Sequence, residues 1–171
     1  MGTNHRATTI ISFDPGGRTG WALFKVHPRA FTDESERILR NIQAYQYGEF
    51  GGPENEQIRD ALDLIKKEFP LFLEPRPSSE KHNIHVVTER FDHIGTIGGD
   101  EVLSPVRINA ALDFSLWRMN IPLSYQPRSL RIGVTRDRLT RWKLGPVKGK
   151  DAFAAVQHAV VFMRRLKRGD V

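Results

Sequence analysis

A chain of 171 residues is long enough for one domain with a hydrophobic core and short for two, so we predict a single domain over residues 1–171. Its 39% hydrophobic and 27% charged residues are typical of a globular protein, and its apolar runs are too short to span a bilayer. The lack of cysteine excludes disulfides, thiolate zinc sites and thiol nucleophiles, so a bound metal must be held by carboxylates or histidines. The opening "MGTNHRATT" has no apolar signal core, and we expect a cytosolic protein.

The first elements predicted along the chain form a β-hairpin. Residues 8–14 and 20–26 are rich in β-branched and apolar residues, and turn residues separate them. The polar stretch over 27–41 has no clear period, whereas the alternation in "IQAYQYGEF" at 42–50 predicts a third strand. We therefore expect three consecutive strands to lie side by side in one sheet.

Helices and strands alternate in the middle of the chain. Asn55 predicts an N-cap, and apolar residues at helical spacing predict an amphipathic helix as far as Phe69. A Pro/Ser-rich connector leads to "IHVVTE" at 84–89, which is typical of a short buried strand, and then to a Gly-containing loop. The Ser-Pro pair at 104–105 predicts the start of a helix that runs through Trp117.

The last third of the chain completes the predicted fold. Residues 121–125 predict a fifth strand, Thr135 predicts the cap of a short basic helix to Trp142, and Asp151 opens a final helix to about Leu166. The order β-β-β-α-β-α-β-α predicts an α/β fold with a five-stranded mixed sheet flanked by helices.

The net charge of +6 is concentrated near the C-terminus. Residues 128–150 hold eight Lys or Arg against one Asp, a local charge of +7, and residues 161–171 add +3, so the rest of the chain is mildly acidic. Because Trp142 lies among these cations, the segment 128–150 favours a polyanion, and nucleic acid is the first candidate. The residues expected to follow DNA phosphates are Arg128, Arg131, Arg136, Arg138, Arg141, Lys143, Lys148 and Lys150.

Three carboxylates stand at the ends of predicted elements. Asp14 ends the first strand, Glu89 ends the fourth, and Asp151 begins the last helix. Turn chemistry alone would explain Asp14, and N-capping alone would explain Asp151. Glu89 has no comparable structural purpose at the rim of a buried strand, and the three residues together indicate a functional site.

The segments around these carboxylates resemble the motifs of the RuvC-type Holliday-junction resolvases in the ribonuclease H-like superfamily, with this chain as a divergent, phage-type member. "IISFDPGGRTGWALF" is similar to their first motif, "VVTERF" to the second and "KGKDAFAAVQHAVVF" to the last. The resemblance covers nearly the whole chain and implies a ribonuclease H-like fold in which Asp14, Glu89 and Asp151 converge on divalent metal.

The same resemblance implies an activity. It implies a Mg²⁺-dependent endonuclease, with Mn²⁺ able to substitute, that hydrolyses phosphodiester bonds in branched DNA such as Holliday junctions or related recombination and repair intermediates. Its setting would be the cytoplasm of a bacterial or phage-infected cell. Carboxylates that hold two such ions about 3.5–4 Å apart can activate a water and relieve charge on the leaving oxygen.

One position departs from the motif of this family. Where the family usually carries an acidic residue or a histidine one helical turn from the last Asp, this chain has Lys148, three residues before Asp151. His158 lies seven residues after Asp151, about 10.5 Å along a helix axis, which is far for the same metal. Either Lys148 acts electrostatically on the scissile phosphate or the second metal site is weak, and Asp92 or His93 remains an alternative ligand.

The remaining expectations concern partners and rival functions. Phe91, two residues past Glu89, is either a core residue or a wedge that unstacks bases at a cost of a few kcal/mol. A resolvase cuts two symmetric strands, so the resemblance implies a homodimer, with the helix at 104–118 as the contact. The alternatives are a flap- or single-strand-specific nuclease of the same fold and an inactive DNA-binding module. Actin-like ATPases and sugar kinases open in a similar way but need two such domains, for which this chain is too short.

Overall fold

The structure, a computed structural model, describes residues 7–68, 84–91 and 100–171. The strands of its sheet are β1 (Thr8–Asp14), β2 (Thr19–Val26), β3 (Ile42–Phe50), β4 (Ile84–Arg90) and β5 (Leu123–Pro127). They lie in the order β3-β2-β1-β4-β5. The pairs β1–β2 and β2–β3 are antiparallel, whereas β1–β4 and β4–β5 are parallel. The five-stranded mixed sheet predicted from the sequence is confirmed.

The helices in the described ranges are α1 (Arg29–Thr32), α2 (Glu54–Glu68), α3 (Asp100–Arg118), α4 (Arg136–Arg141) and α5 (Lys150–Arg168). Two 3₁₀ turns add Ile38–Arg40 and Arg128–Gly133. α1 and the first 3₁₀ turn lie in the polar stretch 27–41. They are too short to show a helical period, which explains why the sequence predicts no element there.

Alternate residues of the central strand face two separate hydrophobic cores. Ile10 packs with the apolar side of α5, whereas Ile11 and Phe13 pack with α2 and α3 on the opposite face of the sheet. All seven residues of β1 are buried, as expected for a strand covered by helices on both faces. The Ser12 hydroxyl also donates to the carbonyl of Ala155, which fixes α5 across the centre of the sheet.

α2 begins at Glu54, two residues earlier than a helix capped by Asn55 would. The carbonyl of Pro53 accepts hydrogen bonds from the amides of Glu56 and Gln57 at 3.0 and 3.1 Å. The first turn therefore closes on Pro53, and Asn55 lies inside the helix. The prediction of Asn55 as N-cap is wrong, although the helix itself is confirmed.

Two further boundaries shift because of proline. The Ser-Pro pair at 104–105 lies inside α3 and does not start it, so the predicted cap is wrong. Pro105 removes one backbone donor from α3, and its ring crowds the carbonyl four residues earlier, so the pair marks a weak point inside the helix and not its start. β5 begins at Leu123 and not at residue 121, because Pro122 has no N–H to contribute to a sheet. The cap predicted at Thr135 is confirmed, since its hydroxyl accepts from the Arg138 amide.

The predicted connector over residues 70–83, most of the Gly-containing loop, Asp92 and His93 lie outside the described residues. Within the described ranges, no helix combines the length and the apolar character needed to cross a membrane.

Candidate active site and metal centre

Two carboxylates meet at the end of the two central parallel strands. Phe13 of β1 is in register with Thr88 of β4, so Asp14 and Glu89, the next residues, emerge at the same edge of the sheet. Among the described residues, ligand atoms of Asp14, Glu89 and His158 lie within 4.8 Å of one another. The topology thus brings together the first two carboxylates that the motifs single out.

His158 joins this pair from the buried face of α5. Its side chain is fully buried, its Nε2 lies 2.9 Å from Glu89 Oε2, and its Nδ1 lies 3.4 Å from the amide oxygen of Gln126. The distance of about 10.5 Å predicted from the sequence runs along α5 from Asp151 to His158. Because α5 crosses the sheet, His158 instead lies beside Glu89 of β4. A histidine among alanines and valines on a buried helix face is the signal that could have found it.

Asp151 lies in the first turn of α5, beside the group of three. Gly149, with φ +88°, occupies the N-cap position and Lys150 is the first helical residue, so Asp151 is not the N-cap. The capping acceptor comes from β3, because Glu49 Oε1 accepts from the amides of Asp151 at 3.1 Å and Ala152 at 3.3 Å. A Cβ atom on Gly149 would lie 2.2 Å from Glu49 Oε1, so glycine is needed at this cap for two reasons.

The start of α5 also presses directly on β2. Gly20 is paired with Asp14, and a Cβ atom built on it would lie 2.0 Å from the backbone carbon and oxygen of Asp151. Only a residue without a side chain permits this approach. The position of Asp151 therefore depends on Gly20 as well as on Glu49.

A buried glutamine holds the turn that follows Asp14. Gln57 of α2 accepts from the Thr19 hydroxyl at 2.7 Å and donates to the carbonyls of Gly17 and Gly52 at 3.2 and 2.9 Å. The turn between β1 and β2 is thereby tied to α2, which fixes the direction in which Asp14 leaves the sheet.

Arg131 is the cation that faces the two carboxylates. Its guanidinium nitrogens lie 3.7 Å from Asp14 Oδ2 and 3.4 Å from Glu89 Oε2, and only 14% of its side chain is exposed. As one of eight cations in a basic segment, it was expected on a DNA-facing surface. The 3₁₀ turn Arg128–Gly133 instead directs it into the carboxylate site.

The protonation equilibria of the site reflect crowded negative charge. Burial raises the pKa of Asp14 to about 7, and repulsion from Glu89 adds to this rise, while Arg131 opposes it. Burial also acts to raise the pKa of Glu89, but the hydrogen bond with His158 and the charge of Arg131 outweigh it, and the net pKa is lowered. Burial, followed by repulsion from Glu49, raises the pKa of Asp151.

This donor set fits a divalent metal ion. Two carboxylates at the end of a buried sheet supply the oxygen ligands that Mg²⁺ and Mn²⁺ prefer, with an imidazole nitrogen beside them. Among the described residues, Arg131 is the cation paired with both of them, and burial together with repulsion from Glu89 still leaves the pKa of Asp14 raised. A bound cation would relieve this imbalance.

The other predicted DNA contacts lie mostly at the surface. Phe91 directly follows β4 and is 37% exposed, which disfavours a core role. The guanidinium of Arg136 lies 4.3 Å from the ring centre of Phe153 and donates to the carbonyl of Val147. The remaining predicted phosphate contacts are all exposed: Arg128, Arg138, Arg141, Lys143, Lys148 and Lys150.

Solved structures share this architecture. The structure of RuvC from Thermus thermophilus matches with a TM-score of 0.61 and 9% identity, over 94% of this chain and 96% of that chain. The structure of T. thermophilus RuvC in complex with a Holliday junction substrate matches with a TM-score of 0.59 and 10% identity, over the same shares. No protein-family model matches the sequence, and no curated protein sequence matches it. The RuvC-type, ribonuclease H-like fold implied by the motifs is confirmed.

Proposed function

We propose that this protein is a metal-dependent endonuclease that hydrolyses phosphodiester bonds in branched DNA. The observation that carries the proposal is the pair of buried Asp14 and partly buried Glu89 at the ends of two parallel strands, with one cation between them. The fold supports it, because a solved structure of the same fold, T. thermophilus RuvC, is in complex with a Holliday junction substrate. A single domain in the cytoplasm, where DNA is accessible, is part of the same proposal.

Asp14 and Glu89 would hold the ion, with Asp151 as the third carboxylate at the start of α5. When bound, Mg²⁺ or Mn²⁺ supplies an activated water and neutralises charge on a phosphate. Because the pKa of Asp14 is about 7, a fraction of the molecules carries a proton on this carboxyl group at neutral pH. Metal binding would displace that proton. Arg131, whose guanidinium can bond two oxygens at once, would bind the scissile phosphate. Lys148, exposed just before α5, would contact the neighbouring phosphate.

One experiment tests the proposal as a whole. Four-way, flap, single-stranded and duplex DNA are each incubated with the protein and Mg²⁺ or Mn²⁺, beside the Asp14→Asn variant. We expect metal-dependent cleavage that is fastest on the four-way junction and absent in the variant. Preference for flaps or single strands would contradict the junction substrate, and cleavage of none would contradict the nuclease.

His158 is proposed as the residue that positions Glu89. His158→Leu removes the hydrogen bond to the partly buried Glu89 carboxylate, and we expect cleavage to fall about 10- to 100-fold. In His158→Gln the amide nitrogen can replace Nε2 as a donor, so most of the activity should return. Cleavage rates are measured for each variant, and calorimetry measures the Mn²⁺ affinity. The Mn²⁺ affinity should change little in His158→Gln. Equal loss of cleavage in both variants would contradict a positioning role.

α3 offers a surface for the dimer that the resemblance implies. Phe114 and Trp117 are 60% and 71% exposed, and their ring centres lie 6.1 Å apart in a stacked arrangement. Exposed aromatic pairs of this kind are enriched at protein interfaces. We propose that two copies of α3 pack together and place two active sites on one junction.

The double variant Phe114→Ser, Trp117→Ser should convert the dimer to a monomer. Light scattering after size-exclusion chromatography measures the mass, and a supercoiled cruciform plasmid reports whether both strands are cut in one encounter. We expect nicked instead of linear product from the variant. Ile132→Ser, at a residue 75% exposed but outside α3, is the control for mass. A wild-type protein that is monomeric at micromolar concentration would contradict the dimer.

A further inference from the structure

A basic groove lies at the other end of the sheet from the carboxylates. Its volume is about 960 Å³, and its walls are the start of β3, the 3₁₀ turn Ile38–Arg40, the residues after α4 and the C-terminal half of α5. From Asp151 to Met163 on its wall, α5 advances about 18 Å along its axis. The groove, called the α5 groove below, is thus separate from the proposed active site.

Among the side chains that line the α5 groove, six are cationic and one, Glu36, is anionic, and most of the others are apolar. Within the described part of the chain, the basic residues on its walls form no ion pair, but the Lys167 ammonium donates to the backbone carbonyls of Asp33 and Glu36. Burial lowers the pKa of Arg164, and repulsion from Arg138 and Arg168 lowers it further, as expected in a positive field. The six lining cations are Arg37, Arg40, Arg141, Lys143, Arg164 and Lys167.

An aromatic ring lies among these cations. Trp142 lines the groove, and the guanidinium of Arg164 lies 4.4 Å from its ring centre. The stacking holds Arg164 in place at the groove wall. A cationic groove that contains an aromatic side chain is typical of surfaces that bind nucleic acid.

Lys143 occupies a position where folding favours glycine. α4 ends in a Schellman motif, in which the amide of Lys143 bonds the carbonyl of Thr140 and the amide of Leu144 bonds that of Leu139. Lys143 takes the left-handed conformation there, with φ 62°, which is unfavourable for a residue with a side chain. The helix dipole favours a cation at this end of α4, whereas the backbone conformation favours glycine, and Lys143 belongs to the cluster of charges described above.

We propose that the α5 groove binds the phosphate backbone of a DNA arm that extends from the proposed active site. The inference rests on the proposed function, because it takes the substrate of that site as the occupant. Several cations without ion-pair partners match the charge of a polyanion, whereas a single small anion would need one or two. The distance of about 18 Å corresponds to roughly five base pairs of duplex DNA.

The first test removes two groove cations outside the segment 128–150. Arg37→Gln, Arg40→Gln is compared with Lys66→Gln, Lys67→Gln, which removes the same charge from α2 on the opposite face of the sheet. The substrate is a four-way junction with arms of about 15 base pairs, three times the span of roughly five base pairs between the active site and the groove. Fluorescence anisotropy follows its binding in chelator over a series of salt concentrations. We expect the slope of log K against log salt to fall by about 1.8 in the groove variant and to stay unchanged in the control.

The second test separates binding from folding. Lys143→Gly should melt at the same temperature as the wild type or above it, because glycine suits the left-handed conformation, and yet bind the junction more weakly. Wild-type affinity and salt slope in both groove variants would overturn the inference. If the wild-type protein cleaves DNA but these variants bind it normally, the inference about the groove is wrong and the proposed nuclease function stands. If the protein binds DNA through the groove but cleaves none, the proposed nuclease function is wrong and the inference about the groove stands.

Discussion

Asp14→Asn is expected to abolish metal-dependent DNA cleavage and, in the same protein, to stabilise the metal-free fold. The loss of cleavage should reach about 10³-fold, because a metal ion contributes several kcal/mol to charge stabilisation and each 1.4 kcal/mol is tenfold in rate. The gain in stability follows from burial. Asp14 is 8% exposed as a whole residue and its carboxyl group faces Glu89, so the ionised form is costly without a cation.

The pH dependence of this gain has a definite sign. The pKa of Asp14 is about 7 in the folded protein against an ordinary 3.8, so the folded state binds a proton that the unfolded state has lost. Stability from this group is therefore present below about pH 4 and is lost as pH rises to 7. At pH 8 in chelator, the Asp14→Asn substitution should raise the free energy of unfolding by about 4 kcal/mol, and at pH 4 by little.

Urea unfolding at the two pH values, with chelator present, measures this difference. Asp63→Asn, at an exposed residue of α2, is the control and should leave both stability and cleavage unchanged. If Asp14 served only to make the turn, its replacement would lower stability at pH 8 and leave cleavage intact. That pattern would contradict the proposed site.

Gly20→Ala is expected to damage the fold and the proposed site together. The added methyl group would lie 2.0 Å from the backbone carbon and oxygen of Asp151 and 2.6 Å from the nitrogen of Ala152. Backbone atoms at the start of a packed helix cannot rotate away as a side chain could, so α5 must move. Overpacking of this kind costs about 1–3 kcal/mol or more.

Movement of α5 also displaces Asp151 from its place beside Asp14. A misplacement of about 1 Å can reduce a rate 10²-fold, and we expect a loss of this order in cleavage. Gly17→Ala is the matched control, because an added Cβ at Gly17 meets no atom within 4 Å. Unfolding midpoints and cleavage rates are measured for both variants. Wild-type stability in Gly20→Ala would show that α5 does not approach β2 so closely.

Local sequence patterns predict the sheet and the meeting of two carboxylates well. The alternation in β3, the apolar runs of β1, β2 and β4, and the turn residues between β1 and β2 are short-range signals that tertiary packing does not override. Once β1 and β4 are parallel neighbours, residues at their carboxyl ends must lie at one edge. Asp14 and Glu89 therefore come together without any knowledge of their side-chain contacts.

The residues that the sequence misplaces are those whose role depends on contacts between distant elements. Arg131 looks like one more cation in a basic run, because charge counting does not show which way a 3₁₀ turn points its side chains. His158 looks remote, because distance along α5 does not give distance to β4. Glu49 looks like a polar residue of an edge strand, although it provides the cap of α5.

That cap joins two parts of the chain into one cooperative unit. The first turn of α5 relies on Glu49, which belongs to β3, the edge strand of the sheet. Edge strands open locally at lower free energy than the centre of a sheet, and each opening of this one releases two amides of α5 at once. We therefore expect local unfolding of β3 to limit the order of Asp151, and amide hydrogen exchange at the start of α5 to follow exchange at the end of that strand.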